Sequence, residues 1–284
     1  MKQRANFGDL PEEYSTLEQA EIVILPVPYD RTSTWLKGAD KGPEAIIESS
    51  AHMELYDIET DSEVYRKGIF TAEPIDEKEL PENMVPAVRE NVKHYIDNGK
   101  FIVVIGGEHS VSIGSVMAHI EKNKDATVLQ LDAHSDLRDE YKGSGYNHAC
   151  VMARIAELCP IVQVGIRSMD ISEKATLEKG RIFFAKDIHR DKGWIEKVIS
   201  GLSEKVYITI DLDVFDPSIM PSTGTPEPGG LLWYDVLELL KAVFDDKEVV
   251  GFDVVELCPD EKNKAPDFLA AKLIYKLLSY KFKD

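Results

Sequence analysis

Apolar residues fall in eight short, nearly unbroken runs, at 22–25, 68–72, 101–105, 126–131, 161–166, 181–185, 206–210 and 249–255. Runs of this length, rich in Val and Ile, predict strands buried on both faces. Between them the spacing changes to that of helices. Val85, Val88, Val92, Tyr95 and Ile96 share one face of a helix over 82–98, which Gly99 is suited to stop. Further helices are expected at 44–52, with Pro43 in the first turn, and at 111–122, 149–158, 191–202, 232–244 and 265–280. Asp170 and Glu173 resemble a capping box that opens one more helix, running to Lys179. The polar stretch 57–81 resists assignment apart from the run at 68–72. Strand and helix alternate, which predicts an α/β protein: three α/β/α layers around a central, mostly parallel sheet of about eight strands. No linker, repeat or low-complexity tract interrupts the pattern, so residues 1–284 read as one domain.

Polar residues gather where the runs end, and ligands bind beyond the carboxyl ends of the strands in such sheets. Run 126–131 ends in Asp132-Ala133-His134-Ser135-Asp136. Alternate residues of an extended segment share a side, so Asp132, His134 and Asp136 are expected to converge. Run 206–210 ends in Asp211-Leu212-Asp213, with the turn pair Asp216-Pro217 just beyond. Run 101–105 ends in Gly106-Gly107-Glu108-His109-Ser110. Singly, these read as a polar turn, a solvated Asp-x-Asp and a cap histidine. Together they place four Asp and two His at three strand ends, a cluster that repels itself strongly without cations. Two divalent ions bridged by carboxylates resolve that repulsion. A set of His and carboxylate without Cys suits Mn²⁺, Fe²⁺ or Ni²⁺ and argues against a structural zinc.

The three motifs, in this order, resemble the metal motifs of the arginase/agmatinase (ureohydrolase) family. The stretch Pro-Ser-Thr-Gly-Thr-Pro-Glu-Pro-Gly-Gly at 221–230 resembles that family's signature loop, and the likeness runs from about Ile22 onward. It implies an arginase-like fold and two Mn²⁺ per subunit, with Ni²⁺ or Fe²⁺ as alternatives. His109, Asp132, Asp136 and Asp211 would hold one ion. His134, Asp132, Asp211 and Asp213 would hold the other, with Asp132 and Asp211 bridging. A water shared by two such ions loses a proton near neutral pH, and Asp136 would take it. Glu256, in Gly-Phe-Asp-Val-Val-Glu-Leu-Cys-Pro, matches the segment whose Glu pairs with a substrate guanidinium. A carboxylate presents the two-pronged acceptor that a planar guanidinium needs; its plainer role is a salt bridge at a helix start. His148, in Tyr146-Asn147-His148-Ala149, matches a histidine at the site mouth, although Ala149 stands where the family usually has Gly. Either it titrates near neutrality and carries a proton to the departing amine, or it simply starts the next helix. The loop 29–42 would lie near the same mouth.

The likeness also bears on the substrate. Arginases carry a Ser-Gly-Asn-rich loop that holds an amino acid's α-carboxylate. Here the loop is Leu137-Arg138-Asp139-Glu140-Tyr141-Lys142-Gly143-Ser144-Gly145-Tyr146, with two acids, and looks more like that of agmatinases. The implied reaction is hydrolysis of the guanidino group of agmatine, or of a close analogue such as N(1)-aminopropylagmatine, to urea and putrescine or the matching polyamine. Arginase, guanidinobutyrase and guanidinase activities are the alternatives within the family. A metal-dependent amide hydrolase of the related deacetylase architecture would need a paired-histidine signature that is missing. A metal-bound, non-catalytic scaffold would have no use for Glu256 and His148.

Charge and composition narrow the partners. The chain has 284 residues, 43% hydrophobic and 30% charged, which is ordinary for a globular protein. Its net charge of −18 disfavours nucleic acid. The acidic surface suits a cationic small molecule, although solubility accounts for most of it. Cys150, Cys159 and Cys258 form no disulfide framework. Residues 1–9 lack a signal peptide's apolar core and no run is long enough to span a bilayer, so a cytoplasmic protein is expected. The family resemblance adds a homotrimer or homohexamer. His52, His94, His119 and His189 have no motif context and read as core or surface residues.

Overall fold

The computed structural model describes residues 5–177 and 180–283. Its strands are β1 (Ile22–Val27), β2 (Ile69–Thr71), β3 (Phe101–Gly106), β4 (Thr127–Leu131), β5 (Ile161–Ile166), β6 (Ile182–Phe184), β7 (Lys205–Asp211) and β8 (Glu248–Val255). They form one sheet in the order β2-β1-β3-β8-β7-β4-β5-β6, and every neighbouring pair is parallel. Between β3 and β4 the chain skips two places, which β8 and β7 fill later. The carboxyl ends of β3, β8, β7 and β4 therefore stand side by side at the centre of one edge. This is the crevice where open α/β sheets bind ligands.

The helices are α1 (Glu12–Ser15), α2 (Gly42–Ser50), α3 (Pro81–Asp97), α4 (Val111–Lys122), α5 (Val151–Ala156), α6 (Ala185–Ile188), α7 (Trp194–Ser200), α8 (Trp233–Asp246) and α9 (Ala265–Lys281). Strand alternation divides the core between the two faces of the sheet. In β1, Ile22 and Ile24 join the layer of α2, α7, α8 and α9, whereas Val23, Leu25 and Val27 join that of α3, α4 and α5. All five side chains are at most 1% exposed, and each such burial stabilises the fold by about 1.5–3 kcal/mol. No described helix is long and apolar enough to cross a membrane.

Three expected helices differ. The one opened by Asp170 is a single 3₁₀ segment, Ile171–Ala175, and its expected end at Lys179 lies outside the described residues. Asp170 does cap it, accepting from the Ser172 N–H at 3.0 Å. Glu173 does not close the box, because its buried carboxylate pairs with Arg138 Nε at 3.2 Å and accepts from the Ser135 hydroxyl. The helix expected at 191–202 is α7 alone, since Asp191 turns the chain by accepting from the Gly193 N–H at 3.0 Å. The helix expected at 149–158 opens as a 3₁₀ turn, His148–Cys150, before α5. The unassigned stretch is fixed by Asp57. It accepts from the N–H groups of Glu59 and Thr60 and pairs with Lys276 Nζ of α9 at 2.9 Å.

Candidate active site

Apart from His148, which opens the 3₁₀ turn before α5, each candidate side chain lies at or just past the carboxyl end of a central strand, Asp211 being the last residue of β7. His109 follows β3 through Gly106-Gly107. A Cβ on Gly107 would lie 2.0 Å from the Tyr29 carbonyl oxygen, so only glycine lets this loop pass the segment after β1. Asp132 follows β4, but strand alternation does not continue to Asp136. The ladder stops at Leu131, and Asp136 takes φ 50, so a left-handed turn brings its carboxylate back. Glu256 follows β8 with φ 67. Non-glycine residues held in this region cost about 1–3 kcal/mol each, a strain that gathers at functional sites.

Two sets of ligand atoms converge. His109, Asp132 and Asp211 each offer one atom within 4.8 Å of the others, as do Asp132, His134 and Asp213. Asp132 belongs to both. His109 Nδ1 stands 3.1 Å from Asp132 Oδ2, 3.1 Å from Asp136 Oδ2 and 3.5 Å from Asp211 Oδ2, so all four residues share one corner. His134 Nδ1 stands 2.8 Å from Asp213 Oδ2 and 3.6 Å from Asp132 Oδ1. Backbone N–H groups aim the carboxylates: those of Ala133, His134 and Asp213 donate to Asp213, Asp132 and Asp211 at 2.9, 2.6 and 2.9 Å.

The electrostatics are those of crowded, dry anions. Burial, then the neighbouring Asp132, pushes the Asp136 carboxyl up to about 6. Burial, then Asp213 and Asp132, drives Asp211 well above the usual carboxylate range. Burial alone would raise Asp132 too, but the His109 and His134 rings beside it hold it low. Burial would lower His134, yet Asp213 and Asp132 push it up to about 12. His109 Nδ1 is buried without a hydrogen-bond partner while aimed at three carboxylates. A ring nitrogen without a hydrogen-bond partner among buried carboxylates fits a hard or borderline divalent cation, and the two ligand sets fit a pair of them.

Glu256 and His148 share the cavity with these ligands. Its volume is about 230 Å³, and Thr34, Tyr141, Met169 and Thr225 are also in its wall. Glu256 is 6% exposed; its Oε1 accepts from the His109 N–H at 2.8 Å and lies 3.8 Å from His148 Nδ1. Burial first, then Glu108, raises the Glu256 carboxyl well above its ordinary range, as befits a carboxylate without a cation beside it. His148 departs from a group titrating at neutrality. Burial, then the charges of His134 and His109, lowers it to about 4, so the imidazole is neutral at pH 7.

Several supporting residues escaped the sequence reading. Buried Glu108 accepts from the Thr32 hydroxyl at 2.7 Å and the Ser33 N–H at 2.8 Å, and Thr32 Oγ1 in turn accepts from the His148 N–H at 2.9 Å. The 29–42 loop is thereby tied to the site. Gln130 Nε2 donates to Asp132 Oδ2 at 2.6 Å, and Gln163 Nε2 donates to Gln130 Oε1 at 2.6 Å. Arg167 donates to the carbonyls of Asp213 and Glu227 at 2.6 and 2.8 Å, fastening the 221–230 loop beside β7. A polar residue within an apolar strand, as at Gln130 and Gln163, was the available signal.

Fold and site together define a hydrolase that works with bound metal ions. The chain belongs to the arginase family, hydrolases of guanidino C–N bonds, whose family model matches residues 20–279. It is 42% identical to an N(1)-aminopropylagmatine ureohydrolase of Thermus thermophilus, over 98% of this chain and 95% of the relative. It is 39% identical to a Synechocystis enzyme of the same name, over 95% and 92%. The agmatine ureohydrolase structure of Thermoplasma volcanium superimposes with a TM-score of 0.87 at 31% identity, covering 99% of this chain and 95% of that one.

Proposed function

We propose that this protein hydrolyses the guanidino group of a cationic polyamine precursor, N(1)-aminopropylagmatine or agmatine, releasing urea and the amine. One observation carries the reading: a buried carboxylate, Glu256, faces the same cavity as two His–Asp ligand sets. Two Mn²⁺ ions, held by His109, Asp132, Asp136 and Asp211 and by His134, Asp132, Asp211 and Asp213, would supply an activated water when bound. Glu256 binds and orients the guanidinium by paired hydrogen bonds, fixing its carbon for attack. Asp136 accepts the proton of the attacking water. Neutral His148 relays a proton toward the departing amine.

The wall of the cavity supports a cationic tail over a carboxylate. Arg138 lines it, but its Nε is paired with Glu173 at 3.2 Å and a terminal nitrogen lies 3.7 Å from Asp170. Its charge is more than balanced, so it offers little to arginine or guanidinobutyrate. The likeness to the Thermus and Synechocystis N(1)-aminopropylagmatine ureohydrolases favours the aminopropyl form. The protein is then a cytoplasmic enzyme, with Cys150, Cys159 and Cys258 all free, working as a homotrimer or homohexamer. Urea release with Mn²⁺ on N(1)-aminopropylagmatine, agmatine, arginine, guanidinobutyrate and guanidine tests it. The first should have the highest kcat/KM; arginine as best substrate, or no urea from any, would overturn the proposal.

A further inference from the structure

Beneath His109 runs a line of buried polar groups that the chemistry above does not use. His109 Nε2 lies 2.9 Å from Thr209 Oγ1. The Thr209 hydroxyl donates to Asp253 Oδ1 at 2.7 Å, and the Tyr207 hydroxyl donates to Asp253 Oδ2 at 2.7 Å. Ser115 Oγ stands 2.7 Å from the Tyr207 oxygen. Thr209, Asp253, Tyr207 and Ser115 are all fully buried, and His109 is 1% exposed. Such a chain is costly to bury, and every member must be satisfied for it to be tolerated.

Its direction follows from proton counting. Asp253 accepts from both hydroxyls. Thr209 has one hydroxyl hydrogen and directs it to Asp253, so toward His109 its oxygen can only accept. His109 Nε2 therefore carries a proton, which leaves Nδ1 as the nitrogen that faces Asp132, Asp136 and Asp211 and is free for an ion. Tyr207 also directs its hydrogen to Asp253, so Ser115 must donate to it. Register places the devices: Thr209 and Asp253 are direct partners across β7 and β8, and Thr209 is two residues before Asp211 on the same side. The Ser112 hydroxyl, 3.3 Å from Thr209 Oγ1, packs against the same pair.

We infer that Thr209 and Asp253 are positioning residues that fix the His109 tautomer and ring for metal binding at that corner. The inference rests on the metal centre proposed above but not on the choice of guanidino substrate. Hydrogen-bond partners of ligating histidines typically change metal affinity 10–100-fold when removed. Thr209→Val keeps the branched shape and deletes the hydroxyl. Thr209→Ser keeps the hydroxyl and deletes a methyl. Asp253→Asn replaces the acceptor-only group by one that can also donate, releasing the chain's direction.

Mn²⁺ dissociation constants, measured by chelator competition on the purified full-length protein, test this, with unfolding of each apo-protein as the check on folding. Thr209→Val and Asp253→Asn are expected to weaken one of two ions about 10–100-fold with the other little changed, and Thr209→Ser to restore binding to within about threefold of wild type. Two ions held by Thr209→Val with wild-type constants would overturn the inference while leaving the metal centre standing. A serine variant as defective as the valine one would also overturn it, since the hydroxyl would then not be what matters. If Thr209→Val does not fold, wild-type binding by Asp253→Asn has the same force. A wild type that binds no Mn²⁺ would overturn the inference and the metal centre together.

Discussion

Glu256→Gln separates guanidinium recognition from metal binding. In the wild type one carboxylate oxygen is taken by the His109 N–H at 2.8 Å. The glutamine carbonyl can keep that bond, which turns the amide NH₂ toward the cavity. A donor then faces the N–H edge of the guanidinium, where an acceptor with negative charge stood. Glu256 is 6% exposed, so solvent screens little of the change. Losing one partner of a buried charge pair costs about 2–5 kcal/mol. At tenfold per 1.36 kcal/mol, kcat/KM for N(1)-aminopropylagmatine and agmatine should fall roughly 30- to several-thousand-fold. Urea release gives the kinetics, and elemental analysis the metal content. Glu256 belongs to neither ligand set, so two ions should remain. An unchanged kcat/KM in a fully metallated variant would refute its pairing with a guanidinium; loss of metal would instead move Glu256 into the ligand shell.

Three other perturbations have definite outcomes. Asp132→Asn removes the carboxylate common to both ligand sets, so metal content should drop from about two ions to one or fewer and activity should vanish; two retained ions would show that neither depends on it. Lys276→Met leaves Asp57, 2% exposed, without its cation and should cost about 3–5 kcal/mol in urea unfolding with metal content unchanged; a loss below about 1 kcal/mol would count against a role for the pair. Burial holds His119 near 4 against an ordinary histidine's 6.5, so the unfolded chain protonates first as pH falls. Its contribution is whole above about pH 6.5 and declines toward pH 4, reaching about 3 kcal/mol at 1.36 kcal/mol per unit. His119→Gln should lose that part of the slope in chemical unfolding between pH 4 and 6.5; parallel profiles would place the sensitivity elsewhere.

What the sequence revealed, and what it hid, has a common physical cause. The central strands were legible because burial on both faces leaves continuous apolar runs, and the half-buried edge strands β2 and β6 because their short runs are still apolar. Six ligand candidates were legible because the carboxyl ends of the strands concentrate polar residues there. The order that brings β8 and β7 between β3 and β4 was not, since no local pattern encodes which neighbour a strand takes. Glu173 failed as a cap because its partner, Arg138, is distant in sequence. The supporting residues lay in view but unread: Gln130 and Thr209 each interrupt an apolar run two residues before a candidate ligand, Asp132 and Asp211. A strand polar residue two before a ligand shares its side, and burial obliges it to find a partner. That rule carries a final prediction. Gln130→Leu keeps length and suits the strand, but removes the amide that donates to Asp132 Oδ2 at 2.6 Å and the oxygen that accepts from Gln163 at 2.6 Å. Gln163 Nε2 keeps its bond to the Ser135 carbonyl at 2.8 Å, but its other hydrogen loses its partner, at about 1–3 kcal/mol of stability. Asp132, then held only at Oδ1 by the His134 N–H, should bind metal about 10–100-fold more weakly. Unfolding and Mn²⁺ titration read the two effects separately. A variant that loses stability yet binds Mn²⁺ as the wild type does would confine Gln130 to packing.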